Sequence, residues 1–484
     1  MPHNQKNDTA GSETSSLSEA APSEIVDSVP EAVVEDSVSM LGRYVTVGIL
    51  TLVNLLNYMD RLTIAGVLGQ VETYYKIQDA EAGLLQAIFI VGYMIFSPIF
   101  GYCGDRYSRK YLMLGGIAFW SVVTLAGSFV PPGYFWVLVL LRALVGIGEA
   151  SYSTIAPTII SDMFVQSQRS YMLMVFYFAI PVGGGLGYIV GSEVAKAAGA
   201  WYWALRITEL TTYTMFVISL LCYTWSRAAL LSTHLFRSQR SSPGMAEHAV
   251  NTRNTPLLKD IKALLTIKSF MLDTFGFVCV AFVAGALALF GPKFVYQAYV
   301  RQPGNGMDSA TVSFYFGLLT CGSGFFGILI GSNLAYLVKK RFPSGDALVC
   351  AFGLIGSSVF LYLTILLLEY SIPAAWVTMF LSMTMYTVIP TRRSTAEAMQ
   401  IFIGHLLGDA GSPYLLGLFS DYLNGTKGFS QFHALQYSLY TCTIVAMLGG
   451  GIFLACSLFI ESDRKKADEV VHGGEDDDVP FLTD

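Results

Sequence analysis

Twelve apolar stretches alternate along the chain with short polar turns: residues 45–68, 83–101, 112–130, 135–160, 172–194, 206–226, 270–291, 311–337, 347–368, 372–390, 396–418 and 436–460. About 20 apolar residues carry a helix across the roughly 30 Å of bilayer hydrocarbon. The stretches are too long for barrel strands and do not alternate with a period of two, so all are predicted helical and a β-barrel is excluded. One segment breaks the pattern. Asn57-Tyr58-Met59-Asp60-Arg61 is a polar island with both signs of charge inside the first span. An ionisable residue at membrane depth faces a protein interior or an aqueous cavity and takes its partner from another helix, so this island is the first candidate site. The competing reading places Asp60 and Arg61 at a helix end with Arg61 snorkelling to the interface. The apolar residues 62–68 that follow weigh against it.

The turns set the orientation. Arg106, Arg109 and Lys110, then Arg169, then Lys339, Lys340 and Arg341, then Arg392 and Arg393 follow spans two, four, eight and ten, while the intervening turns are almost bare of basic residues. Basic short turns stay cytoplasmic, so both termini are predicted cytoplasmic. Asn424-Gly425-Thr426, a glycosylation pattern, then falls on the opposite side. The long connection is polar, basic and Ser-rich, and near its end Leu258, Ile261, Leu264 and Leu265 share a helical face. That predicts a short helix lying on the cytoplasmic surface. The organisation is a tail (1–43), a six-helix half (44–226), a cytoplasmic linker (227–268), a second six-helix half (269–461) and an acidic tail (462–484). Span five opens with Arg169-Ser170 and runs into Gly183-Gly184-Gly185-Leu186-Gly187; span eleven follows Arg393-Ser394 and runs into Gly408-Asp409-Ala410-Gly411. A parallel repeat of this kind places a substrate site between the halves near the midplane, with access alternating as they rock.

Composition narrows the class. Of 484 residues 53% are hydrophobic and only 13% charged, which excludes an ordinary soluble protein and leaves a polytopic membrane protein. The net charge of -6 resides largely in two tails whose composition cannot bury enough surface to fold. No secretory signal precedes the first span, which is expected to act as the insertion signal. The seven cysteines are scattered without a CxxC pair or a histidine cluster and read as core hydrophobes, so no metal or other cofactor is predicted.

Span four supplies the second charged group. Arg142 and Glu149, two turns apart, lie on nearly one helical face, and Gly146 and Gly148 allow a neighbouring backbone close. At about 1.5 Å per residue, Asp60 and Arg142 both fall roughly 20 Å above the cytoplasmic face and are expected to meet, with Glu149 about 10 Å lower. A buried carboxylate poised between desolvation and a nearby cation suits proton coupling; a charge cluster that locks one conformation is the alternative. His405 and Asp409, at i and i+4 on span eleven, share a face. They are either a pH-responsive cavity pair or a hydrogen-bonded pair internal to the bundle. Ser394-Thr395-Ala396-Glu397 reads as a capping box. Ser151-Tyr152-Ser153 lacks a paired base at readable spacing, and the span-five glycines follow no strand, so no enzyme is predicted.

The turn Gly101-Tyr102-Cys103-Gly104-Asp105-Arg106-Tyr107-Ser108-Arg109-Lys110 resembles the G-x-x-x-D-R-x-G-R-K signature of the major facilitator superfamily, with Ser108 where glycine is usual. The resemblance implies that Gly101, Asp105, Arg106 and Arg109 form a cytoplasmic gate that binds no substrate. Within that superfamily the chain resembles the spinster family over about 44–461. The likeness rests on residues 57–68, on Gly148-Glu149-Ala150-Ser151-Tyr152-Ser153, on Tyr177-Phe178-Ala179-Ile180-Pro181, on Ile389-Pro390-Thr391-Arg392-Arg393, and on His405 through Tyr414. It implies an all-helical twelve-span transporter of lysophospholipids or sphingoid lipids such as sphingosine-1-phosphate, proton-coupled or facilitative. Asp60, Arg61, Arg142 and Glu149 would lie in the polar cavity, with Asn57, Tyr58, His405 and Asp409 beside it. It further implies a late endosomal or lysosomal membrane, with the plasma membrane as the alternative. A monomer with a lipid substrate, and protons as a second partner, is expected; nucleic acid is not. Between Pro373 and Pro390 there is one short span, where the family has a longer segment with an acidic residue and an Asn-Trp stretch. A small organic anion as substrate, and a membrane scaffold that carries nothing, therefore stay open.

Overall fold

The computed structural model describes residues 31–164, 166–225, 265–302, 306–342, 344–387, 400 and 402–472, and among these every regular element is helical. The first half comprises α1 (Glu31–Gly66), its short continuation α2 (Leu68–Tyr75), α3 (Asp79–Arg106), α4 (Arg109–Gly127), α5 (Phe135–Met163), α6 (Gln166–Ala198) and α7 (Tyr202–Trp225). The second comprises α8 (Lys268–Arg301), α9 (Ser309–Lys339), α10 (Gly345–Tyr370), α11 (Ile372–Tyr386), a π-helical turn (His405–Asp409), α12 (Ser412–Gly425) and α13 (Gln431–His472). Among the described residues eight helices are long and apolar enough to cross a membrane. The segments α1, α7, α11 and the π turn with α12 occupy the other four span positions.

Three departures from the hydropathy pattern have physical causes. The backbone of α1 is helical from Glu31 and that of α13 continues to His472, past the expected tail boundaries, because extending an existing helix adds one hydrogen bond per residue fixed. Span ten ends early: α11 has 15 residues, about 22 Å of helix. It is fixed laterally by polar contacts, with Ser382 Oγ donating to the Ser357 carbonyl (3.0 Å), Trp376 Nε1 to Tyr299 (3.1 Å) and Tyr386 to the Val280 carbonyl (2.7 Å). Span eleven is not one regular helix. It passes through the π turn, whose Gly408 packs directly on the α8 backbone at Val278 and Phe282, before Pro413 at the start of α12. The linker helix at Leu258, the residues Arg392, Arg393 and Glu397, and the outer tails lie outside the described residues.

Close backbone approach sets the position of the polar island. Gly183, Gly187 and Gly191 recur every four residues on α6, and a Cβ at the first two would stand 2.4 Å from the carbonyls of Leu55 and Met59 on α1. The expected role of Gly146 is realised: a Cβ there would lie 2.1 Å from the Phe89 carbonyl of α3. Between the halves α3 meets α12, where a Cβ on Gly83 would lie 2.3 Å from the Pro413 carbonyl. Gly83→Val is therefore expected to destabilise this arrangement by about 1–3 kcal/mol, the usual cost of overpacking. Faster alkylation of a cysteine introduced at the buried Ser420, on the same face of α12, would report it.

Candidate functional site

The charged residues of spans one and four converge inside the first half. Asn57, Asp60 and Glu149 are fully buried and Arg142 is 3% exposed. Arg61 donates to Glu149 at 3.0 Å, so the direct bridge joins Arg61 and Glu149, and the competing reading of Arg61 as an interfacial snorkel fails. Asp60 and Arg142, expected to meet, are both buried in this cluster but make no direct bond: neither oxygen of Asp60 and none of the three guanidinium nitrogens of Arg142 has a hydrogen-bond partner. Phe89 lies between the two arginines, its ring 4.9 Å from the Arg61 guanidinium and 5.3 Å from that of Arg142. Such cation–π contacts hold a guanidinium without consuming its N–H donors.

The second half reaches the same region through the π turn. His405 donates from Nδ1 to the Asp409 carboxylate at 2.8 Å, and its ring is edge-on to Tyr93 at 6.4 Å. Tyr93 in turn lies 5.4 Å from the Arg61 guanidinium, with Tyr58 on another side at 4.8 Å. The eight candidate residues thus form one connected polar region, in which Tyr93 bridges the halves. The widened turn, not a regular i,i+4 face, sets the His405–Asp409 geometry; π turns recur at functional sites.

Sequence reasoning missed Glu209 on α7. It is 3% exposed and within hydrogen-bonding reach of Asp60; a carboxylate three residues after Arg206 at the start of span six was the available signal. It also missed an ion network at one end of the bundle. There Lys293 of α8 bonds Glu72 at 2.6 Å and also Asp79. Asp79 accepts from Ser420 at 2.6 Å, and Asp421 accepts from the backbone N–H groups of Asp79 and Ala80 at 3.1 and 2.8 Å. Those N–H groups open α3 and have no partner within the helix. Farther around, Lys196 pairs with Asp308 at 3.0 Å and Ser313 donates to the Gly66 carbonyl at 3.1 Å. Every one of these contacts crosses between the halves. Burial pushes Glu72, beyond the end of span one, up to about 7 against the pull of Lys293. Burial also raises Asp421 above its usual value, whereas the hydrogen bonds from Thr311 and then Lys196 hold Asp308 below it.

The opposite end carries the basic turn. Arg109 pairs with Asp162 at 2.5 Å and donates to the Gly104 carbonyl at 3.2 Å, joining α4 to α5 and α3. Arg106 is exposed and stacks on Tyr102 of its own helix, 4.5 Å from the ring centre. A Cβ on Gly101 would meet nothing within 4 Å, so this glycine packs against no neighbour in this state. The Asp105 side chain lies outside the described residues.

Known proteins share this architecture. The pattern of the Major Facilitator Superfamily matches residues 50–402. Protein spinster homolog 1 of Homo sapiens is 47% identical over 454 residues, covering 88% of this chain and 83% of its own. Sphingosine-1-phosphate transporter SPNS2 of Xenopus tropicalis is 43% identical over 444 residues, covering 87% of this chain and 83% of its own. The crystal structure of a bacterial homolog to the human lysosomal transporter Spinster, in an inward-facing and unoccupied conformation, superposes with a TM-score of 0.68 at 18% identity, covering 87% of this chain and 98% of that one. That last likeness speaks to the fold. The chain belongs to the spinster family of major facilitator superfamily transporters.

Proposed function

We propose that the protein carries an amphiphilic lipid with a phosphate-bearing headgroup, a lysophospholipid or a sphingoid phosphate, by alternating access with protons as the coupling ion. The observation that carries this reading is Arg142, a buried guanidinium with three unpaired nitrogens at the centre of an apolar bundle. A phosphate accepts bidentately from such a fork, and Arg61 stands beside it. The relative named as a sphingosine-1-phosphate transporter supports the same chemistry. The basic turns and both termini then face the cytoplasm, and the end sealed by Lys293 faces a lumen or the exterior, with a late endosomal or lysosomal membrane as the first place to look. Asp60 and Glu149 serve coupling; Gly101, Asp105, Arg106 and Arg109 act when the basic end closes. The protein works as a monomer in this reading.

A small organic anion would satisfy Arg142 equally well. The lipid is favoured by the relative named as a sphingosine-1-phosphate transporter, 43% identical over 87% of this chain. In proteoliposomes, labelled lysophosphatidylcholine or sphingosine-1-phosphate is expected to cross faster with an imposed pH gradient than without it. Flux of a short-chain organic phosphate with neither lipid moving would replace the lipid reading. Correctly folded protein that moves none of the three would point to the scaffold.

A further inference from the structure

The charges buried in the first half do not balance. Three carboxylates, Asp60, Glu149 and Glu209, face two guanidiniums, Arg61 and Arg142, and each of the five acts electrostatically on others of the set. Arg61 and Glu149 neutralise one another directly at 3.0 Å. Arg142 is then left to balance both Asp60 and Glu209. Arg206, on the same helix as Glu209, is engaged elsewhere: it donates to Ser128 at 3.1 and 3.2 Å and stacks on Phe129. The other polar neighbours are Ser121 on α4, Tyr58 and Asn57 on α1 and Tyr93 on α3, none of which brings positive charge. One negative charge is therefore in excess in a fully buried setting, where an uncompensated ion is costly enough that the group takes up a proton instead.

The geometry says where that proton sits. Asp60 and Glu209 lie within hydrogen-bonding reach of one another. As two carboxylates neither can donate, and all four of their oxygens are buried without a partner. A single shared proton cures both defects: it supplies the missing donor and brings the cluster to neutrality. We infer that Asp60 and Glu209 share one proton in this state and that Glu209, from span six, is part of the protein's proton site together with Asp60.

This inference deepens the proton-coupled reading above and can fail separately from it. The proton is sought directly as a protonated-carboxyl stretching band, sensitive to deuteration, in infrared spectra of the purified protein at pH 8. At that pH carboxyl groups in contact with water are ionised. The band is expected in the unaltered protein and is expected to be lost in Glu209→Gln and, independently, in Asp60→Asn, because either change leaves one carboxylate opposite Arg142. Absence of the band from the unaltered protein, or its persistence in whichever variant folds, overturns the inference. In transport, Glu209→Gln is expected to lose the stimulation of lipid flux by a pH gradient. A gradient response in Glu209→Gln equal to that of the unaltered protein would also overturn it. A band that behaves as expected in a protein whose lipid flux ignores pH would leave the shared proton standing and remove only the coupling.

Discussion

Arg142→Ala is expected to cut lipid flux by at least about 30-fold. Truncating one partner of a buried charge arrangement costs about 2–5 kcal/mol or more, and each 1.4 kcal/mol is about a factor of ten. Two causes contribute, and they separate experimentally. The truncation removes the one guanidinium in the cluster whose donors are all unpaired, so the headgroup loses its fork. It also leaves Asp60 and Glu209 without their counter-charge, which threatens the fold itself. The triple variant Arg142→Ala with Asp60→Asn and Glu209→Gln removes both carboxylates that Arg142 balances and leaves Arg61 and Glu149 paired. If Arg142 serves only to balance charge, the triple variant recovers thermal stability and gradient-independent flux. If Arg142 holds the headgroup, the triple variant recovers stability while initial rates without a gradient, at equal reconstituted protein, stay at the single-variant level. Arg142→Lys keeps the charge but not the planar pair of donors, and is expected to fold normally and transport with intermediate rates. Unchanged flux in Arg142→Ala would remove the residue from the binding site.

Reading the chain as a string locates most of this arrangement, and the exceptions share a cause. Span positions, the two halves and the charged groups Asp60, Arg61, Arg142 and Glu149 are all visible, because a charge in an apolar run is conspicuous and helical spacing places Arg142 and Glu149 on one face. Which charge pairs with which is not visible. Arg61 and not Arg142 reaches Glu149, since the outcome depends on side-chain length and helix rotation across the contact between α1 and α5. Glu209 was hidden because span six also opens with Arg206, and two charges near a span end look like an interfacial boundary. Lys293 was hidden for the same reason: it follows Pro292 just past the apolar run, and its partners Glu72 and Asp79 come from the other half, more than 200 positions away. The π turn at His405 reflects packing of Gly408 on α8, a tertiary effect that local spacing does not carry.

Lys293→Ala is expected to open the end of the bundle that Glu72, Asp79 and Asp421 close, shifting the conformational balance about 100-fold at neutral pH. Breaking a buried ion pair by removing one partner costs about 3–5 kcal/mol. The side chains of Lys293, Glu72 and Asp79 are 15, 13 and 14% exposed, which argues for the low end, about 3 kcal/mol, or roughly two decades in population. Three carboxylates surround this one lysine, so protons assist it. The closed arrangement holds Glu72 at about 7, above its ordinary 4.5, because burial outweighs the attraction of Lys293, and Asp421 is shifted the same way. A closed state with a raised carboxyl value binds the extra proton. Closure is therefore fully favoured below pH 4.5, and the advantage is lost as the pH rises through about 7. Acidifying that face should close it, which for an acidic compartment means releasing the substrate site to the opposite side. Spin labels at the exposed positions Gln70 and Lys427 would measure the separation of the halves directly. The unaltered protein is expected to show the short distance growing in population from pH 7.5 to 5. Lys293→Ala should show the long distance at pH 7.5 and recover the short one only in acid, while Glu72→Gln, which carries no charge to neutralise, should stay closed with a weaker pH response. Identical distance distributions for the unaltered protein and Lys293→Ala at pH 7.5 would mean that the packing of α3 on α12 at Gly83 closes this end without the ions.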